Sequence, residues 1–258
     1  VPCGSHLPPP LPAEIGHGAG AMRLLVVAAG GGLGSTVLRL ALERGHEVTA
    51  LVRSPERLLA AVGEERFARV RVVAGDAQNA SALREACAGA DTVIEALANS
   101  PRDIAVPALV QAAGEAGVRN FVATGGVPAL MKLNLPAEVL TKIDGEEHLP
   151  YIEELAKVHL QTYKVLSESS LPAWCEVCPG EIIPARSGMP SGRIGGKAGV
   201  LDPSLPRVTS YEDTATLMLD AGEGVAASGF HGQLVGLRNL GGAQLEKGPE
   251  PAGIKSDL

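Results

Sequence analysis

The sequence predicts an α/β chain: one domain built on a doubly wound parallel sheet with helices on both faces. Three observations predict it. The stretch Leu24 to Ser35, LLVVAAGGGLGS, passes from an unalternating apolar run through glycines into a helix-like segment, Ser35 to Arg44, the order expected of a strand buried on both faces. Further apolar runs then alternate with helix-like segments, which is the βαβ order of a parallel sheet. The composition is 45% hydrophobic but 3% aromatic, so the core must be built from Val, Leu, Ile and Ala. A chain of 258 residues is long enough for one large domain and does not require a second.

The termini and the charge narrow the possibilities. Residues 1–21 hold prolines and glycines without periodicity and read as a disordered leader, in which VPCGSH resembles the scar of a thrombin-cleaved tag with one residue changed. Residues 241–258 have turn residues and charges but no apolar face and read as a disordered tail, leaving the domain to residues 22–240. A net charge of −7 without clustered Lys and Arg argues against a nucleic-acid surface. No run approaches the ~18 apolar residues of a membrane span and no secretion signal is visible, so the cytoplasm is the expected compartment. Cys175 and Cys178 form a C-x-x-C pair, with Cys3 and Cys87 elsewhere, but AWCEVCP reads as a strand, on which residues three apart face opposite ways. Buried structural cysteines are expected, and no metal site.

The elements follow in order. After the first helix, Gly45 leads into the strand HEVTALVR, and Ser54-Pro55 opens the next helix as cap and first-turn proline. RVRVVAG is the third strand, ending at Asp76-Ala77, and a helix runs from about Ala80 to Ala88 before Gly89. DTVIEAL is the fourth strand, Ile104 to Ala116 a helix stopped by Gly117, and RNFVAT the fifth strand, ending in Thr124-Gly125-Gly126. A loop from Val127 to Pro150 leads to a helix from Tyr151 to Ser169 and the strand Ala173 to Cys178. Residues 181–206 lack periodicity and read as a substrate loop or a surface insert. RVTSYEDTATLMLDAGE reads as a short extended piece and a helix capped by Ser210, and HGQLVGL as a last edge strand.

The turn Gly31-Gly32-Leu33-Gly34 is either a tight structural turn or a phosphate cradle, since the amides opening the helix have no partners inside it. About twenty residues on, at the end of the second strand, the residue that meets an adenosine ribose is Arg53 with Ser54; a planar cation there points to the 2′-phosphate of NADP, against the alternative of a solvated surface arginine. Asp76 can cap the following turn, and Asn99-Ser100 lies near the nicotinamide ribose or simply in solvent.

The spacing Ala28-x-x-Gly31-x-x-Gly34, with LVRSPERL, GDA, GADTVI, GVRNFVATG and KVLSESSLPAWCEVCPGEI, resembles the extended and atypical short-chain dehydrogenases, specifically the NAD(P)H-binding group of NmrA-like and biliverdin reductase B-like proteins. Ala28 stands for that family's first glycine. The resemblance covers residues 22 to about 220 and implies a Rossmann fold with NADP across the strand ends, contacts from Asp76-Ala77 to the adenine, and Pro179 beside the cofactor. It also shows what is missing. The family's Tyr-x-x-x-Lys pair falls on Leu155 and His159, its serine after strand five on Gly125 beside Thr124, and a common arginine before Pro-Gly on Cys178.

Proton delivery therefore has three near candidates: Thr124, His159 and Tyr163. Leu155, His159, Thr162 and Leu166 share one helical face, with Tyr163 at its border four residues from His159, and Lys164 turned to solvent. A histidine on such a face is also an ordinary core residue. Two functions fit: an NADPH-dependent reductase of a small, planar, quinone- or flavin-like acceptor that takes its proton from water, or a non-catalytic NADP(H) sensor of NmrA type. Both imply a small-molecule ligand and neither a nucleic-acid nor a membrane partner; the oligomeric state is unspecified.

Overall fold

The computed structural model describes residues 20–97, 102–129, 149–179, 181–183, 194–198, 208–225 and 229–239. Residues 1–19 of the expected leader, the expected tail and Asn99 lie outside them. The elements are β1 (Arg23–Val27), α1 (Gly32–Glu43), β2 (Glu47–Val52), α2 (Pro55–Val62), α3 (Glu64–Phe67), β3 (Val70–Ala74), α4 (Ala80–Cys87), β4 (Thr92–Glu95), α5 (Arg102–Glu115), β5 (Asn120–Thr124), α6 (Leu149–Ser167), β6 (Ala173–Cys178), β7 (Glu181–Ile183), β8 (Ile194–Ala198), β9 (Val208–Ser210), α7 (Tyr211–Glu223) and β10 (Gln233–Asn239).

The main sheet has the order β3-β2-β1-β4-β5-β6-β10-β8. Strands leave β1 in one direction through β2 and β3, and in the other through β4, β5 and β6, so the topological switch point lies between β1 and β4. Ligands of open α/β sheets bind beyond the carboxyl ends of strands at such a point. Seven strands are parallel, and β8 runs antiparallel to β10 at the edge.

Alternation along each strand divides the core in two. Leu24 and Val26, Ala50 and Val52, and Cys175 and Val177 face α1, α2 and α7, while Leu25 and Val27, Leu51, Phe121 and Ala123 face α4, α5 and α6. Val26, Leu25 and Phe121 are fully buried, each contributing about 1.5–3 kcal/mol by leaving water. Cys175 lies in the first layer and Cys178 in a small cluster on the other side, so the C-x-x-C pair faces opposite ways, as its strand spacing requires; both thiols are free and buried.

Two expectations are corrected. The Glu181–Pro206 segment contributes β7, which pairs with β9 in a two-stranded parallel sheet, and β8, the antiparallel edge of the main sheet. Consequently β10 is an interior strand rather than an edge, because β8 covers its far side. No helix among the described residues is long and apolar enough to cross a membrane.

Candidate functional site

The glycine turn follows β1, and Ala28 bends it. Ala28 takes φ +62°, a left-handed conformation uncommon for a residue with a side chain, and its carbonyl accepts the Gly31 amide at 3.0 Å. The glycines then have different jobs. A Cβ on Gly34 would stand 2.3 Å from the Ala28 oxygen and 2.8 Å from the Ala29 Cα, so Gly34 lets α1 pack against its own strand. A Cβ on Gly32 would meet the Tyr211 ring at 2.6 Å, so Gly32 makes room for the start of α7. Gly31 has only the Ala28 oxygen at 3.5 Å, an ordinary contact, and its backbone at φ −84°, ψ 171° suits any residue.

The end of α1 beside Gly31 has no side-chain cap and no acid in its first turn. Unfilled amides and the positive end of the helix dipole therefore face the strand ends, and an anion fits there. At the end of β2, Arg53 is exposed, and the stem of Arg57 packs 3.9 Å from the Cβ position of Gly30, adding a second cation that the sequence reading passed over. Ser54 caps α2 by accepting the Arg57 amide at 3.2 Å and donates its proton to Glu56 at 2.9 Å. Asp76 accepts the Gln78 amide at 2.8 Å, the turn-forming role weighed for it, with Ala77 half-buried beside it. Pro179 is buried, and its carbonyl holds the Val127 amide at 3.2 Å, tying the end of β6 to the turn after β5.

Beyond the carboxyl ends of β4, β5 and β6 lies a sealed polar cluster. Glu95 aligns with Ala123, and Ala123 with Glu176, so the two acids share a row and a face across three strands. That face carries α5 and α6. Arg102, the first residue of α5, is wholly buried there, as are both carboxylates. Its guanidinium donates from Nη1 to Glu95 Oε1 at 2.8 Å, and its Nη2 stands 2.6 Å from Oε2 in an ion pair. It also donates from Nε to Thr162 at 3.1 Å, from Nη1 to the Leu97 carbonyl at 3.3 Å, and from Nη2 to the Thr124 carbonyl. Burial pushes the Glu95 carboxyl up, while Arg102 and the Leu97 and Thr124 amides pull it back.

The three candidate catalytic residues separate. Thr124, 7% exposed, donates its hydroxyl proton to the Glu95 carbonyl at 2.7 Å. His159, 5% exposed, hydrogen-bonds the Thr124 backbone and keeps an Nδ1 unpartnered among the described residues; burial foremost, then the Arg102 charge, push its ring down to about 3, so it is neutral at physiological pH. Thr124 and His159 are thus brought together. Tyr163 is not: its ring meets Trp174 edge-on at 5.5 Å and 77°, near the other end of β6. Gly125 and Gly126 close over the cluster, since a Cβ on Gly125 would lie 2.5 Å from the Cys178 sulfur and 3.2 Å from Glu176 Oε2, and one on Gly126 would lie 2.8 Å from the His159 ring.

The sequence reading missed Glu95, Arg102 and Glu176. The signal for the two acids was there, as single charges in TVIE and AWCEVC, strands otherwise too apolar to carry an unpartnered acid.

The sequence model of the family described as NAD(P)H-binding matches residues 28–221. The chain belongs to this family. The match begins at the left-handed Ala28 and takes in the glycine turn, the buried cluster and almost all of α7. A curated relative, the 3-beta-hydroxysteroid dehydrogenase of Mycolicibacterium neoaurum, is 29% identical over 164 residues, which cover 57% of this chain and 41% of that protein. The chain thus matches about two fifths of the relative's length. Among solved structures, a wide-type short-chain dehydrogenase/reductase of Veillonella parvula in complex with NADP has a TM-score of 0.64 at 17% identity, covering 88% of this chain and 98% of that one. The anaerobillin reductase of Escherichia coli O157:H7 has a TM-score of 0.64 at 19% identity, covering 86% and 100%. These likenesses show the Rossmann fold.

The turn beside Gly31, with free helix-opening amides and no acid in the first turn of α1, has the geometry to take an anion such as a pyrophosphate. Gly31→Val is expected to fold, with a melting temperature within a few degrees of the parent, and to lose about two orders of magnitude in dinucleotide affinity. Calorimetry on the folded variant checks it; unchanged affinity would place the phosphates elsewhere.

Proposed function

We propose that the protein is an NADPH-dependent reductase of a small, planar acceptor of quinone or flavin type, with Gly31, Gly32, Leu33 and Gly34 at the pyrophosphate, Arg53, Ser54 and Arg57 at the 2′-phosphate, Asp76-Ala77 at the adenine, and Asn99 and Pro179 at the nicotinamide half. The observation that carries the reading is the state of the groups at the strand ends. Oxidising an alcohol needs a base to take its proton. Here His159 is held neutral far below its ordinary range, the Thr124 hydroxyl is committed to a carbonyl, and Glu95 is locked to Arg102. Such a site favours an acceptor that needs only a hydride and one readily supplied proton. The steroid alcohol chemistry in the name of the Mycolicibacterium relative is not adopted, because Leu155 and His159 stand where a Tyr-Lys pair would work. The reductase named for the Escherichia coli neighbour accords with the proposal in reaction class.

Bound cofactor would supply the hydride; this chain orients it, excludes water and holds the proton balance. Steady-state oxidation of NADPH against flavins, quinones and aldehydes tests the reading, and tight NADPH binding with no acceptor reduced would replace it by the sensor reading. Two exposed arginines at the ribose end predict that NADPH binds at least ~10-fold tighter than NADH, about 1.4 kcal/mol. Arg53→Ala is expected to remove most of that gap in calorimetric titrations, and equal affinities in the parent would count against NADP.

A further inference from the structure

We propose that Glu176 is the stored proton of the site, a buried carboxylic acid that gives up its proton as the nicotinamide is oxidised. The proposal rests on the reductase reading. Its ground is the placement of donors. A guanidinium has five N–H groups, and those of Arg102 are aimed elsewhere: Nε donates to Thr162, Nη1 to Glu95 Oε1 and the Leu97 carbonyl, and Nη2 to the Thr124 carbonyl, with Nη2 also paired with Glu95 Oε2 at 2.6 Å. None is hydrogen-bonded to Glu176 among the described residues. Both of its oxygens are wholly buried and without a hydrogen-bond partner among the described residues. An ionised carboxylate in that place would be a bare charge out of water, whereas the protonated acid is neutral.

The surroundings point the same way. From β4 the Glu95 charge disfavours a second anion, and from α5 Arg102 favours one but is already neutralised by Glu95. On β6 itself Cys175 and Cys178 stay thiols, pushed well up by burial. From α6, across the Gly125-Gly126 turn, His159 is neutral and its Nδ1 is an acceptor lacking a donor. Burial, with Glu95 adding to it against the pull of Arg102, pushes Glu176 up to about 8. Among the described residues, a buried acid lacking an acceptor and a buried acceptor lacking a donor thus flank one turn, the Gly125-Gly126 turn after β5.

The balance is simple. A bound dihydronicotinamide would supply the hydride with its two electrons; Glu176 supplies the one proton the reduced acceptor also takes up, and solvent reprotonates the carboxylate as cofactor and product exchange. This replaces water as the immediate proton source. The phosphates are the same in both cofactor forms, so only the ring charge distinguishes them, and a positive charge within ~4–6 Å lowers a carboxyl by about 1–3 units.

Two measurements on the full chain test this. Infrared spectra at pH 7 are expected to show the carbonyl stretch of a protonated carboxylic acid that disappears in Glu176→Gln. In weakly buffered indicator titrations at pH 7.5, NADP⁺ binding is expected to release about half a proton per site, NADPH none, and Glu176→Gln none with either. Absence of the infrared band, or equal release with both nucleotides, overturns the proposal while leaving the reductase reading in place. If neither nucleotide binds, both fall.

Discussion

Arg102→Met is expected to destabilise the protein by about 3–5 kcal/mol, the effect of removing one partner from a buried ion pair. The loss has two sources. Glu95 would be left as a wholly buried carboxylate facing only the Leu97 and Thr124 amides, and the Thr124 and Leu97 carbonyls would lose their guanidinium donor. The double change Glu95→Leu with Arg102→Met should recover most of the loss, because an apolar pair of similar volume removes the stranded charge. Denaturant unfolding at pH 7 provides the check. A single-variant loss under 1 kcal/mol would mean that water reaches the pair.

Raising the pH from about 5 to 8 is expected to weaken the fold by about 4 kcal/mol through Glu176 alone. The direction follows from the proton count. With its folded value raised to about 8 against an ordinary 4.5, Glu176 binds a proton in the folded state that the unfolded chain has already released in this window. Its contribution is fully present below about 4.5 and is lost as the pH climbs to about 8. Asp91, held far below the usual carboxylate range by Arg23 and Arg119, titrates under this window and does not mask the slope. His159 opposes this slope, because its ring is neutral in the fold down to about 3 while the unfolded chain protonates it below about 6.5, so the contribution of Glu176 is read as the difference between parent and variant. Glu176→Gln should gain on the parent as the pH rises and melt several degrees above it at pH 8. The same pH dependence in parent and variant would show Glu176 ionised in the fold.

Where local chemistry decides, the sequence was readable. β6 spans Ala173–Cys178 as expected, Ser54 and Ser210 cap their helices through the Arg57 and Asp213 amides, and the β1 turn lies at the glycines. α1 starts three residues before Ser35, since Gly32 and Gly34 are helical glycines that sequence propensity counts against a helix. α3 escaped notice as a single turn with no buried residue. The larger misses depend on register between distant strands. IGGKA has no apolar pattern to mark it as the strand that covers β10, and the row from Glu95 through Ala123 to Glu176 exists only once three strands are aligned. Arg102 lies seven residues from Glu95 in the chain, yet nothing in a linear reading says that α5 turns it back beneath the sheet.

The placement of β10 between β6 and β8 dictates an order of events during synthesis. Strands β1 to β5 pair within the first 124 residues through short crossovers, so that half of the sheet can assemble as the chain emerges. β6 then acquires one partner from β5 but must wait for residues 233–239 to acquire the other. Throughout that interval a fully buried-type strand, AWCEVC, presents an open edge with its acid unsealed. A nascent chain stalled before residue 233 would therefore carry an adhesive edge on its β6 side, and chaperone capture or aggregation of such intermediates would concentrate there rather than on the β1–β3 side.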